Sequence, residues 1–402
     1  MGKNRIKSLS ALHFFSILKE RKNRFAKASK DSIAADTTVN ELAKKLHPQA
    51  QFVKVAEIRD RGNGTKTFTF IPDKEKGTES LAYFSAGQYI SVNVEINGLK
   101  FTRPYSLCSS PLESLQGKYE ITVKSVSEGL VSNFIIDNWK KGTELIISSP
   151  LGNFDYVNLR DAPTVLGIAG GSGITPFLSM AKAISDGTEN FNLILLYGSR
   201  KYNQILFREE LDELQKKNPK INIVHVLSDE DHEGCEKGFI NQEIIQKYIS
   251  VSDYSVFICG PQVMSDFVDK ELEKLNLPQK FIRHELFGEV HGAKNQPDYP
   301  ENSNKLNKYS DGDRVKISIS IHDKKEIVYG SADDTILQIL EQNNISVPSR
   351  CRSGECGWCH TFLKSGKVYI PERMDYRRKA DEKFGFIHPC CTFPLTDLEL
   401  EN

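Results

Sequence analysis

From Gln51 to Ser149, apolar and polar residues alternate in short runs. A period of two puts one face of a strand in a core and the other in solvent. Phe52–Ile58, Thr67–Phe70, Tyr89–Val94, Tyr119–Lys124 and Glu144–Ile147 follow this pattern, with a Gly62-Asn63-Gly64 turn between the first two. Such a series predicts an antiparallel barrel or sandwich. Between Pro163 and Gly288 the rhythm changes to short apolar runs at Val165–Ala169, Leu193–Tyr197, Ile221–Val226 and Val256–Cys259. Helical stretches at Pro176–Ile184, Phe207–Lys217 and Val263–Leu275 separate them, which predicts a parallel sheet with helices on both faces. Residues 289–312 are rich in Asn, Pro, Lys, Ser and Asp and read as a linker. A third, small domain follows, with a strictly alternating strand at Val315–Ile321 and a helix at Ile336–Gln342. Residues 1–50 read as a separate helical segment, because Leu9, Leu12, Phe15 (or His13), Ser16 and Lys19 recur at helical spacing.

A chain of 402 residues exceeds what one core usually serves, so two or three domains are expected, and no internal repeat is present. The 53 basic residues equal the 53 acidic ones, so the balance gives no electrostatic case for nucleic acid. The charge is nevertheless uneven. Within residues 1–30, Lys3, Arg5, Lys7, Lys19, Arg21, Lys22, Arg24, Lys27 and Lys30 face the single acid Glu20. A basic amphipathic helix can lie on a membrane surface or dock on a partner. The plainer reading, a solvated helix packed on its own protein or a frayed end, is preferred over peripheral membrane contact. Ile6 stands where acylation of Gly2 would need Ser or Thr. No apolar run approaches the ~18 residues of a membrane span, Leu12–Leu18 being the longest near the start. Eight cysteines in a long chain without a secretory signal point to free thiols and a reducing cytoplasm.

Cys351, Cys356 and Cys359, followed by Cys390, read C-x4-C-x2-C…C, the plant-type spacing for a [2Fe–2S] cluster. Gly354 and Gly357 let that loop curl around the inorganic sulfides. In the parallel-sheet region, Gly170, Gly171, Gly173, Thr175 and Pro176 lie between a strand and a helix. Glycines there allow a pyrophosphate to approach the backbone, and the helix N-terminus offers free N–H groups. The spacing is not G-x-G-x-x-G. Cys259-Gly260-Pro261 ends another strand, at the carboxyl end where ligands bind in such folds, and suits a nicotinamide. Arg103, Tyr105 and Ser106 offer a phosphate partner, a ring and a hydroxyl suited to a flavin. Gly129, Leu130, Val131 and Ser132 can open a helix that holds phosphate.

These motifs, in this order, resemble the ferredoxin–NADP reductase superfamily in its three-domain form ending in a plant-type ferredoxin. The resemblance covers residues 51–402. It implies a multidomain protein: an antiparallel β-barrel flavin domain at 51–157, an α/β parallel-sheet nucleotide domain at 158–288, and an α+β (β-grasp) ferredoxin domain at 313–402. It implies that Tyr105 lies against the isoalloxazine, that Ser106 lies near its N5, and that Gly129 through Ser132 hold its phosphate. Cys259 falls where the family keeps a thiol near the reacting carbon. Glu285-Leu286-Phe287 resembles an acid-x-aromatic motif, placing Glu285 near the hydride path and Phe287 over the flavin. Ser199 and Arg200, with Arg208 further on, are placed to meet the adenosine ribose, and arginines there lean towards NADPH over NADH. The family's closing pattern sets a proline four residues after the last ligand; Pro394 therefore selects Cys390 over Cys391. His360 and His388 are expected to pack beside the cluster, and Trp358 to shield it.

The implied activity is electron transfer from NAD(P)H through FAD, with FMN less favoured, to the [2Fe–2S] cluster and on to a partner redox protein such as an oxygenase, a hybrid-cluster protein or another reductase. A mobile linker before the ferredoxin would let one cluster face the flavin and then the partner. Two alternatives stand beside it: a self-contained oxidoreductase reducing a quinone, dye or oxygen, and a redox-responsive interaction subunit.

Overall fold

Residues 51–147 lay down six strands: β1 Gln51–Gly62, β2 Thr65–Pro72, β3 Tyr89–Ile96, β4 Leu99–Ser106, β5 Tyr119–Lys124 and β6 Glu144–Ile147. The computed structural model describes residues 11–27, 37–127, 129–285, 292–296, 298–300, 314–321 and 324–402. The six strands form one antiparallel sheet in the order β4-β3-β6-β1-β2-β5. A bridge between Leu107 and Ile121 joins the two edges, so the sheet curls shut as a barrel. Val53, Val55, Phe68, Phe70, Ile90, Val92 and Ile147 fill it, and Trp139 closes one end against Phe68 at 5.2 Å between ring centroids. Pro104 lies within β4 opposite Ser91. It is tolerated there because β4 is an edge strand and need not donate on its outer side. A short helix, α3 Pro111–Leu115, and α4 Leu130–Asn138 flank the barrel.

The second sheet is parallel. Its strands are β7 Thr164–Gly170, β8 Asn192–Ser199, β9 Ile221–Leu227, β10 Glu236–Lys237, β11 Ser255–Cys259 and β12 Ile282–Glu285. Their order, β10-β9-β8-β7-β11-β12, reverses direction at β7. Helices α5 Thr175–Asp186, α6 Arg208–Lys217, α7 Gln242–Tyr248 and α8 Gln262–Glu273 complete the layers. Separate apolar clusters lie on the two faces, one around Phe177, Leu195 and Phe257 and the other around Leu166, Leu196 and Ile258. The apolar pattern does not disclose β12, since Ile282-Arg283-His284-Glu285 carries little of it.

The third region pairs β13 Arg314–Ile321 with β14 Lys324–Ser331, follows with α9 Ile336–Gln342 and then adds β15 Thr361–Ser365, β16 Val368–Tyr369, α10 Lys379–Lys383, β17 Phe386–Ile387, β18 Phe393–Pro394 and β19 Leu398–Glu401. A five-stranded mixed sheet, β14-β13-β19-β15-β17, wraps α9 in the grasp arrangement. Thr335 caps α9 by accepting from the Gln338 backbone, and Gln338 returns the bond.

Part of the expected linker is folded. Tyr369 Oη donates to Asp298 Oδ1 at 2.7 Å, and Tyr299 stacks edge-on against Tyr369 at 5.1 Å. Ala293 is buried with Phe393 and Leu395. Ala293 and Tyr299, together with polar contacts of Gln296 and Asp298 to Arg373, Glu372 and Tyr369, fasten residues 292–296 and 298–300 to the third domain, a contribution that bulk composition hides. Residues 301–312 lie outside the described part. The N-terminal unit, described by itself, contains α1 Ala11–Lys27 and α2 Thr38–Leu46. Lys19 through Lys27 are exposed, and Arg24 pairs with Glu20 at 3.0 Å. Leu9 lies outside the described residues. Among them, no helix is long and apolar enough to cross a membrane.

Candidate functional site

Three constellations from three domains converge. In the barrel, β4 carries Arg103 and Tyr105 on one face of the strand and Ser106 on the other, with Ser106 buried and Tyr105 half-buried. Ser106 Oγ donates to Glu285 Oε2 at 3.1 Å. Glu285 is the last residue of β12 and stands in register with Cys259 at the end of β11. Thus the serine of one domain and the acid and thiol of the next occupy one buried place. Burial pushes the Glu285 carboxyl well above the usual carboxylate range; the bond from Ser106 opposes this and Glu355 reinforces it. Burial likewise holds the Cys259 thiol well above its ordinary value, with Glu285 adding to it. Both shifts favour the uncharged forms, a protonated carboxyl and a thiol. Phe287 lies outside the described residues.

Gly129 precedes α4, and a side chain there would meet Ser132 Oγ at 2.5 Å and the Val126 carbonyl at 3.1 Å. The helix opens with Leu130, Val131 and Ser132 and has no acid in its first turn, so its N–H groups can take an anion. Arg103, across from it in chain terms, donates to the Thr102 carbonyl at 3.0 Å and sits 3.7 Å from Glu341 of α9.

The glycine loop turns after β7 through a short 3-10 segment, Gly171–Ile174, into α5. Gly171 is left-handed, with φ 54°. At Gly173 a Cβ would lie 2.1 Å from the Cys259 carbonyl oxygen, so glycine is required for β7 and β11 to approach. Gly170, Gly171, Ser199, Arg200 and Pro261 line a cleft of about 780 Å³ at the carboxyl ends of the parallel strands. Gly173, Thr175, Pro176, Cys259 and Gly260 support that cleft rather than line it. Arg208 does not belong to it. Its guanidinium lies over the Tyr202 ring at 4.5 Å, and it borders a different cavity with Asp60 and Arg61. The first turn of α6 carries it away from the strand ends, so closeness in sequence to Arg200 misleads. Arg200 itself meets Asp229, Nε to Oδ2 at 3.2 Å. Asp229, Phe239 and Phe267 also line the cleft, the two rings 5.9 Å apart. They carry no sequence signal, because only the sheet order β9-β8-β7-β11 brings them to the glycine loop.

The cysteine loop shows how four thiols can hold two irons. Cys359 and Cys390 sulfurs are 3.4 Å apart, and Cys351 shares hydrogen bonds with Cys356 and Cys390. Backbone N–H groups of Ser353 and Cys356 point at Cys351 Sγ, at 3.5 and 3.4 Å, and that of Trp358 points at Cys356 Sγ at 3.4 Å. Among the described residues no three donors converge on a single-ion centre. The four thiols adjoin, Cys351 meeting Cys356 and Cys390 and Cys390 meeting Cys359, which fits the four thiolates of a two-iron cluster. Cys391 differs: its thiol contacts the Met374 and His388 carbonyls at 3.6 and 3.5 Å, beneath the loop. Gly354 is left-handed at φ 83°, and a Cβ there would meet the Met374 oxygen at 2.5 Å. His388 Nδ1 bonds to the Gly354 carbonyl at 2.6 Å, and the His360 ring stacks on Phe386 at 4.0 Å. Both histidines are supports. Trp358 is half-exposed with the Arg350 guanidinium 3.5 Å above it, so it covers the loop only in part.

The loop faces the flavin-type site. Tyr89 of β3 is buried; burial pushes its phenol up first, and then the charges of Cys351, Cys356, Glu355 and Glu285 do so. Asn153 bonds to Glu355, and Gly152 has no room for a Cβ because the Tyr89 ring would lie 2.9 Å away. Tyr89, Asn153 and Glu355 therefore join the two sites, though nothing local in the sequence marks them.

Comparisons with known proteins agree with this layout. Residues 53–156 match the oxidoreductase FAD-binding domain, 168–270 the oxidoreductase NAD-binding domain and 319–395 the 2Fe-2S iron-sulfur cluster binding domain. The chain is 26% identical over 348 residues to a glycine betaine monooxygenase reductase subunit of Chromohalobacter salexigens, covering 84% of this chain and 91% of that protein. It is 28% identical over 347 residues to the ferredoxin reductase component of a 3-ketosteroid-9-alpha-monooxygenase of Rhodococcus rhodochrous, covering 85% and 94% respectively. Among solved structures, phthalate dioxygenase reductase superposes with a TM-score of 0.61 and 27% identity, over 88% of this chain and 98% of that one.

Proposed function

For a chain that belongs to the ferredoxin–NADP reductase superfamily, with FAD-binding, NAD-binding and plant-type [2Fe–2S] domains on one polypeptide, we propose the role of reductase component to a separate oxygenase. The single observation that carries this reading is the meeting of the two sites: Gly152 packs between the Tyr89 ring and Glu285, the acid bonded to Ser106, and the next residue, Asn153, bonds to Glu355 of the cysteine loop. FAD, when bound, takes two electrons as hydride and passes them on singly, and the cluster carries one. Arg103 and the N-terminus of α4, from Gly129 to Ser132, hold the flavin phosphate. Tyr105 supports the ring, and Ser106 with neutral Glu285 presents a polar but uncharged edge to the incoming hydride. Cys259 shapes the nicotinamide side of that edge. Cys351, Cys356, Cys359 and Cys390 ligate the cluster. The other four cysteines, Cys108, Cys235, Cys259 and Cys391, are not in disulfides, which supports a reducing, cytoplasmic setting.

NADH is the preferred substrate in this reading. The Asp229 carboxylate beside Arg200 suits a ribose 2′-hydroxyl and opposes a 2′-phosphate. The lean towards NADPH rests on Arg200 and Arg208, of which the first stands beside Asp229 and the second borders a different cavity. We expect kcat/KM for NADH to exceed that for NADPH by about ten-fold or more, and Asp229→Asn to narrow the ratio by a similar factor. Equal use of both coenzymes by the unmodified protein would overturn this assignment.

Anaerobic rapid mixing tests the electron path. Excess NADH should bleach the flavin absorbance first and the cluster absorbance second, before any partner is added. If the reconstituted cluster stays oxidised, the reductase reading fails.

A further inference from the structure

We propose that Glu341 is a positioning residue that seats the [2Fe–2S] domain on the flavin domain by sharing one carboxylate between an arginine from each. The inference deepens the reading above and rests on its electron path. Glu341 lies on α9 and takes no part in the chemistry assigned so far. Its two oxygens accept from both terminal nitrogens of Arg352, at 2.7 and 2.9 Å, in the bidentate geometry that fixes direction as well as distance. Arg103 Nη1 of β4 approaches the same carboxylate at 3.7 Å. All three side chains are withdrawn from water, with 3% of Arg352, 9% of Glu341 and 19% of Arg103 exposed. In so dry a place a carboxylate between two guanidiniums is strongly held, and removing its charge is correspondingly disruptive.

The two arginines belong to the segments that matter for electron flow. Arg352 follows Cys351 in the cluster loop and has a left-handed backbone, φ 60°. A non-glycine residue keeps that conformation only where its surroundings hold it, and the two-point grip of Glu341 does so. Arg103 lies two residues before Tyr105 and three before Ser106, on the same strand. One carboxylate thus ties the loop that bears the cluster to the strand that bears the flavin contacts. Because a displacement of ~1 Å at a reacting centre can cost orders of magnitude in rate, a shared anchor of this kind sets how well the two centres face each other.

The holoenzyme with Glu341→Gln tests this, with Glu341→Asp as the charge-retaining control. Flavin content, iron content and the low-temperature EPR signal of the reduced cluster should match the unmodified protein. The NADH-to-flavin step should stay within about two-fold, whereas the flavin-to-cluster step should slow by about five-fold or more in Gln and recover in part in Asp. The proposal is overturned if the flavin-to-cluster step in Gln stays within about two-fold of normal. It is also overturned if the Gln variant loses iron, since Glu341 would then merely support the cluster loop. Failure of the cluster to accept electrons in the unmodified protein would count against the electron path and not against Glu341.

Discussion

Cys390→Ala is expected to strip iron and acid-labile sulfide from the protein, whereas Cys391→Ala leaves both in place. The two cysteines adjoin, both are buried, and either could reach the loop as judged from sequence alone. The geometry separates them. Cys390 Sγ lies 3.4 Å from Cys359 Sγ and also meets Cys351, while Cys391 Sγ, beside Cys390, is turned to the Met374 and His388 carbonyls. Losing one of four thiolates leaves an iron with an open position and the cluster prone to loss. One-electron reduction of cytochrome c by NADH should then fall by roughly two orders of magnitude, with the NADH-to-flavin step retained. Cys391→Ala removes one buried sulfur and should cost about 1 kcal/mol of stability, with iron content unchanged. Iron analysis of the two variants side by side decides it: retention of a full cluster in Cys390→Ala would reassign the fourth ligand.

The readability of these features follows how local each one is. The cysteine loop is legible because three of its ligands lie within nine residues and the chemistry needs that spacing. The glycine turn is legible for a similar reason, as a strand, a turn and a helix follow one another directly. β4 is hidden as a strand because Pro104 interrupts the pattern, yet an edge position removes the objection. Glu341, Tyr89 and Glu355 cannot be singled out in this way, since each acts across a domain boundary and looks like an ordinary surface or core residue in its own segment. Arg208 shows the opposite failure: it is near the correct strand in sequence, but the helical turn beginning after Phe207 takes it to Tyr202. Arg200 is read differently once the structure sets Asp229 beside it, a neighbour that sequence spacing does not disclose. Chain order discloses which chemistry is present; the sheet order decides which residues share it.

Glu285→Gln is expected to leave the hydride step nearly intact and to abolish its decline as pH rises through the raised value of the native carboxyl. Burial holds the Glu285 carboxyl well above its ordinary range, so the native protein keeps this proton where an unfolded chain has lost it. While protonated, the group is neutral and accepts from Ser106; once ionised, it would place negative charge where an electron pair arrives. The NADH-to-flavin rate should therefore stay level below the raised value and fall as pH rises through it, a fall that Gln cannot show. Glu285→Ala removes the partner of Ser106 altogether and should slow the step by about two orders of magnitude at any pH. Stability gives an independent reading with the same sign. Because the folded-state value is raised, the contribution of this carboxyl is fully present below about pH 4 and is lost as pH rises through the folded value, at ~1.4 kcal/mol per unit of displacement. Glu285→Gln escapes that loss, so its thermal midpoint relative to the unmodified protein should improve from about pH 5 to about pH 8 by roughly 2–4 °C for each kcal/mol relieved. If the Gln variant instead reproduces the alkaline decline in hydride rate, another group titrates there and the neutral-acid role of Glu285 is wrong.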